Sequence, residues 1–287
     1  MRAYVPKYQL ISPPTLSEAL DLLSQDNGAW KPFAGGTDLM VLLEAGKLPQ
    51  KNYVNIWNLK ELRGIEVSDD HVTLGALTTY TDVQDHAVLQ KEFPMLVQAA
   101  RETGGIAIQN RGTLGGNIVN ASPAADSPPA LLAYDAELEL ISKQGVRRIP
   151  YSRFHSAYKQ MDLRAGELLQ AIRLPRLSDR FDYYRKVGTR KAQAISKVCF
   201  AGATRIVEGK VAHIRIALGS VAPIPIRCEK TERSLNNQPL DSETIALAVS
   251  TLTSEIVPID DIRSTRDYRL RVSLNLLQDF LSRATAS

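Results

Sequence analysis

Apolar and polar positions along the chain follow two rhythms. Leu16, Ala19, Leu20, Leu22 and Leu23 recur at helical spacing behind Thr15-Leu-Ser-Glu18, which carries the signature of a capping box. Lys31 to Ala34 reads as a short strand that runs into Gly35-Gly36, and Leu39 to Glu44 reads as a helix. Tyr53–Trp57 and Val72–Leu77 read as strands. These elements predict a small βαβ-like unit followed by an αβ unit. Residues 94–103 and 124–133 predict helices around a glycine-rich loop, Gly112–Gly116, and Ala136–Ser142 and Leu168–Leu174 predict further strands. Pro175-Arg-Leu-Ser-Asp-Arg180 is polar, follows a strand and carries a proline, so the domain boundary belongs there. Beyond it Tyr183–Val187, Val198–Ile206 and Val211–Leu218 predict three antiparallel strands, and Glu243–Leu252 and Arg266–Leu281 predict helices.

The composition is that of a globular protein: 287 residues, 44% apolar and 23% charged. This length suits two domains of about 150 residues each. The two cysteines, Cys199 and Cys228, cannot supply four ligands to an iron–sulfur cluster or to an all-cysteine zinc site. Such sparse cysteine fits a reducing, cytoplasmic setting. The opening residues lack the apolar core of a signal peptide, and no run reaches the length of a transmembrane helix.

A net charge of +4 invites a nucleic-acid reading, but the charge is uneven. Residues 143–197 hold 14 basic and 4 acidic residues, while residues 1–100 carry a net −4. The surplus suits an anionic cofactor or an acidic partner better than a nucleic-acid backbone.

Two segments carry candidate chemistry. Ala34-Gly-Gly-Thr-Asp-Leu39 lies between a strand and a helix. Glycine permits close approach of the backbone, and successive N–H groups at a helix start can cradle an anion. It can equally be a tight turn with Thr37 or Asp38 as the helix N-cap. Thr113-Leu-Gly-Gly-Asn-Ile-Val-Asn-Ala-Ser-Pro-Ala-Ala-Asp126 gathers a glycine pair, two hydroxyls, two amides and a carboxylate. That set suits a sugar-phosphate ligand, or a long turn that caps the next helix. A Walker A motif, a GxGxxG fingerprint after the first strand and a GxSxG elbow are all missing, and the four histidines match no metal spacing. No catalytic or metal-ligating residue is assigned.

With Tyr184-Arg-Lys-Val-Gly-Thr-Arg-Lys-Ala-Gln-Ala-Ile-Ser-Lys-Val198, these segments resemble the flavin-binding medium subunit of molybdenum hydroxylases, the relatives of xanthine dehydrogenase and carbon monoxide dehydrogenase. The resemblance runs over about residues 4–283 and weakens after about 235. It implies an α+β fold: a two-subdomain FAD-binding domain of the vanillyl-alcohol oxidase (PCMH) type, then a C-terminal three-stranded antiparallel sheet with helices. The division falls at 1–177 (subdomains about 1–58 and 59–177) and 178–287. The family implies FAD on this chain, with [2Fe–2S] clusters on a small subunit and the molybdenum cofactor on a large one. It also implies a dimer of heterotrimers that passes electrons through FAD to an external acceptor.

Residue by residue, the resemblance assigns Pro32, Phe33, Ala34, Gly35, Gly36, Thr37, Asp38 and Leu39 to a first pyrophosphate loop. Thr113, Leu114, Gly115, Gly116 and Asn117 match a second. By the same resemblance Thr103 lies beside the flavin, Asp126 binds ribityl or ribose hydroxyls, and Leu169 makes a backbone or apolar contact to the ring. Lys186 stands near the isoalloxazine, where a cation would favour anionic reduced flavin. Where some members place a tyrosine over the flavin, residues 188–194 contain no aromatic, which puts NAD as acceptor in doubt. The alternative is a self-sufficient flavin oxidase, which would need its own acid/base residue beside the flavin.

Overall fold

The computed structural model describes residues 8–25, 28–48, 51–190 and 193–285. Its first unit is a three-stranded parallel sheet. Asn52–Asn55 lies in the middle, flanked by Gln9–Ile11 and Trp30–Phe33. Helix Leu16–Leu23 begins at Thr15, whose hydroxyl oxygen accepts from the Glu18 N–H at 3.3 Å. The box is not reciprocal, because the Glu18 carboxylate takes the Thr15 hydroxyl proton at 3.1 Å instead. Leu16, Ala19, Leu20 and Leu23 close over Trp30, Val54 and Ile56, as their spacing predicts.

The second unit is a five-stranded antiparallel sheet, ordered Ile65–Val67, His71–Gly75, Leu168–Pro175, Glu137–Ser142, Gly145–Pro150. Between its second and fourth strands in space the chain inserts helices that include Pro94–Glu102, Leu114–Val119 and Ser127–Ala133. Two details differ from the sequence reading. Gly115 and Gly116 belong to the first turn of helix Leu114–Val119, not to an open loop, because Thr113 caps that turn through its hydroxyl. The next helix starts at Ser127 rather than near Ala124, with Pro128 and Pro129 in its opening turn, where missing N–H groups cost nothing.

The third unit contains the three long antiparallel strands read from the sequence, Phe181–Val187, Val198–Val207 and Lys210–Gly219, with a two-residue fourth, Ile226–Arg227. Strand Val198–Val207 is buried on both faces, and its period-2 alternation sorts residues by size. Val198 and Phe200 join the core under helices Ser242–Glu255 and Arg266–Ala284. Cys199, Ala201 and Ala203 face the core that includes helix Ser127–Ala133. Small side chains on that face let the sheet lie close against the helix that follows Asp126. The C-terminal unit is thereby pressed against the second polar segment.

Half of the fourteen basic residues of stretch 143–197 are engaged by carboxylates among the described residues. Lys143 pairs with Asp21, Arg147 with Asp162 and Glu167, and Arg148 with Glu139. Arg173 pairs with Glu137, Arg176 with Glu92, Arg180 with Asp182, and Lys186 with Asp126. Most of these carboxylates lie outside the stretch, so folding brings outside counter-charges to about half of the local surplus.

Candidate functional site

The two glycine segments meet back to back. A Cβ on Gly35 would lie 1.7 Å from the Arg111 carbonyl oxygen, so only glycine lets these backbones touch. Arg111 is fixed in turn by its guanidinium, which stacks 3.8 Å over the Trp57 ring. Gly36 adopts φ +78°, the left-handed region, and lies against the edge of the Phe33 ring.

The segments differ in what their backbones have left to offer. The N–H groups of Gly35, Gly36, Thr37, Asp38 and Leu39 have no hydrogen-bond acceptor among the described residues. Five consecutive donors leading into helix Leu39–Glu44 are thus left available to an anion. In the second segment the Leu114 N–H donates to Thr78 O and the Gly115 N–H to Ala76 O, both at 2.9 Å. Gly116 N–H goes to the Thr113 hydroxyl at 3.0 Å and Asn117 N–H to Thr113 O at 2.9 Å. Gly115 is therefore a packing glycine: a Cβ there would meet Ala76 at 2.6–2.7 Å. What this segment offers a ligand is side chains. Asn117 accepts the Ser127 hydroxyl proton at 2.5 Å and keeps its amide N–H₂ free to donate. Asn120 donates to the Asp38 carboxylate at 3.2 Å and bridges the two segments.

Asp38 and Asp126 both occupy helix N-cap positions and make no capping bond. Each turns elsewhere. Asp38 takes the Asn120 amide, and Asn120 itself accepts from Lys159, the nearest ammonium to this end of the site. Burial lowers the Lys159 pKa, and Asp38 works against that shift.

A cleft of about 290 Å³ runs between Asn117, Asn120, Ser122 and Asp126 on one side and Gln193, Ala194 and Ile195 on the other. Asp126 lies at its inner end, 8% exposed. One carboxylate oxygen accepts from Lys186 Nζ at 2.7 Å and from Thr103 at 3.5 Å, and the other accepts from Ser196 at 2.5 Å. Burial pushes the Asp126 carboxyl up, against the pull of Lys186 and the hydroxyls. Lys186 also donates to Glu102 O at 2.8 Å, and its side chain is 1% exposed. Lys186 is thus half of a buried ion pair.

Asn117, Asn120 and Asp126 line the cleft; Asp38 is bonded to Asn120, and Thr103 and Lys186 lie beside the Asp126 carboxylate. Pro32 and Phe33 end strand Trp30–Phe33, just ahead of the 35–39 donors. Thr113, Leu114, Gly115 and Gly116 shape the second helix start. The Leu169 side chain is buried in the central core. Ser196 and Gln193 were not singled out from the sequence, although both fall inside the basic motif that carries the resemblance. No cluster of three or more metal-capable side chains occurs among the described residues. No helix among them is long and apolar enough to cross a membrane.

Residues 6–177 match the family model described as the FAD binding domain in molybdopterin dehydrogenase, and 183–284 match the carbon monoxide dehydrogenase flavoprotein C-terminal domain. The chain is 33% identical over 276 residues to the xanthine dehydrogenase FAD-binding subunit of Escherichia coli O157:H7, covering 95% of this chain and 94% of that one. It is 30% identical to the glyceraldehyde dehydrogenase medium chain of Sulfolobus acidocaldarius, covering 94% and 95%. A chain of carbon monoxide dehydrogenase from Hydrogenophaga pseudoflava superposes with a TM-score of 0.93 at 28% identity, over 98% of both chains.

Proposed function

The chain belongs to the family of FAD-binding subunits of molybdopterin dehydrogenases, and from that premise we propose that it binds FAD and carries electrons within a molybdenum hydroxylase. The observation that carries the reading is the run of five unpaired N–H groups from Gly35 to Leu39, where Asp38 is bonded to Asn120 of the cleft that has the buried Asp126–Lys186 pair at its inner end. A dinucleotide needs an anion site at one end and hydroxyl partners farther along, and the residues present fit that need.

In this reading the 35–39 N–H groups hold the pyrophosphate, and the Asn117 amide donates beside them. Asp126, paired with Lys186 and bonded by Ser196, accepts from sugar or ribityl hydroxyls. The Lys186–Asp126 pair presents a fixed dipole rather than a net charge, so it orients the ligand without strongly favouring one redox state. Bound FAD supplies one- and two-electron exchange. The walls formed by 117–126 and 193–195 would flank it and help fix its orientation.

Electrons would arrive from [2Fe–2S] clusters on a small partner subunit, after substrate oxidation at a molybdenum cofactor on a large one, and leave to an external acceptor. The assembly is proposed as a dimer of heterotrimers in the cytoplasm, where Cys199 and Cys228, both buried and unpaired, stay reduced. The test is anaerobic stopped-flow on the assembled complex with its substrate. Flavin bleaching should follow cluster reduction and disappear when this chain lacks FAD. Cluster electrons reaching the acceptor at an unchanged rate without FAD would overturn the reading.

A further inference from the structure

The two walls of the cleft come from distant parts of the chain, and one residue behind them bonds to both. Ser220 ends strand Lys210–Gly219 with φ +67°, in the left-handed region. From that backbone its N–H donates to Pro123 O at 2.8 Å, in the 117–126 wall. Its hydroxyl donates to Ser196 O at 3.0 Å, next to the 193–195 wall. Its own carbonyl accepts from Arg269 Nη1 at 2.7 Å. Arg269, 3% exposed on helix Arg266–Ala284, also donates to Lys197 O at 3.1 Å and to the Asp261 carboxylate at 2.7 Å. Asp261 is steadied by the N–H groups of Arg263 at 2.8 Å and Ser264 at 3.0 Å. Ser196 completes the connection by donating to Asp126 at 2.5 Å.

We infer that Ser220 and Arg269 are positioning residues for the cofactor: together they set the spacing of the cleft walls and, through Ser196, the position of the Asp126 carboxylate. Two features favour this over simple packing. Glycine would fit the Ser220 backbone better, so what serine adds is its hydroxyl, and that hydroxyl is bonded to Ser196. An apolar side chain would fill a helix–sheet contact without the desolvation that a buried guanidinium suffers, whereas Arg269 reaches two carbonyls on the back of the cleft. Neither residue touches the ligand, and the inference rests on the FAD reading given above.

The test compares the unsubstituted full chain with Ser220→Gly, Arg269→Met and Arg269→Lys, by FAD titration, flavin absorption and circular dichroism, and thermal unfolding. Ser220→Gly keeps the backbone bond to Pro123 and relieves the strained φ. The expected result is an unchanged or raised unfolding temperature, FAD affinity weakened about tenfold, and shifted flavin bands. Arg269→Lys should recover part of the affinity that Arg269→Met loses. Should Arg269→Met fail to fold, Ser220→Gly decides alone. Unsubstituted affinity and spectrum in Ser220→Gly would overturn the proposal. Failure of the unsubstituted chain to take up FAD would overturn the underlying reading, and this proposal with it.

Discussion

Lys186 Nζ lies 2.7 Å from the Asp126 carboxylate, although 60 residues separate them in the chain. One sits on strand Phe181–Val187 and the other on the N-cap of helix Ser127–Ala133, so the pair ties the C-terminal unit to the cofactor cleft. Removing the cation would leave a buried carboxylate without its counter-charge, which costs about 3–5 kcal/mol. Lys186→Met is therefore expected to unfold at much lower urea and to lose FAD. The double variant Lys186→Met/Asp126→Asn should recover stability without recovering FAD. An unchanged urea midpoint in the single variant would remove the ion pair from the account.

The two glycine segments should respond differently to alanine. Gly35→Ala drives a methyl into the Arg111 backbone, which cannot yield as a side-chain tip can. Destabilisation near the upper end of overpacking, about 3 kcal/mol, is expected, together with loss of FAD. At Gly116 the nearest atom is the Thr113 hydroxyl at 2.9 Å, a rotatable group. There the helix propensity gained offsets about 1 kcal/mol of weakened cap. Thermal unfolding with FAD titration separates the two, and equal effects would contradict the assignment.

Acid should weaken the fold through buried histidine. Burial, aided by Arg215, lowers the His213 pKa from 6.5 to about 4. His155 is shifted in the same direction by burial, opposed by its bond to Ile118 O at 2.9 Å. Between 6.5 and 4 the unfolded chain takes a proton that folded His213 refuses. Its stabilising contribution is thus complete above 6.5 and lost as pH falls toward 4. Urea midpoints across this range should decline, and the decline should flatten in His213→Asn. A parallel decline in both proteins would assign the effect elsewhere.

The paired cations of 143–197 lead to a negative expectation. With Arg147, Arg148, Arg173, Arg176 and Arg180 all engaged by carboxylates, a gel shift with duplex DNA or RNA at low salt should show no retardation. Retardation that vanishes steeply with salt would reopen the nucleic-acid reading.

Much of the architecture is legible locally. The Thr15 cap, the apolar face of helix Leu16–Leu23 and the three C-terminal strands follow from spacing alone, because their hydrogen bonds and periods are short-range. The jobs of the glycines are not. Gly35 answers to Arg111 and Gly115 to Ala76, contacts that exist only after distant segments meet. The same holds for charge. The pairing of Lys186 with Asp126 is not legible because the two belong to different motifs, and Ser196 gains meaning only from that carboxylate.

The central claim is that the 35–39 backbone holds a pyrophosphate, so the most direct measurement is equilibrium titration of the full chain with FAD, FMN and riboflavin, with ADP as competitor. The expected result is one FAD per chain, displaced by ADP, with FMN and riboflavin bound far more weakly. Binding of FMN or riboflavin as tight as FAD, or no flavin binding at all, would contradict it.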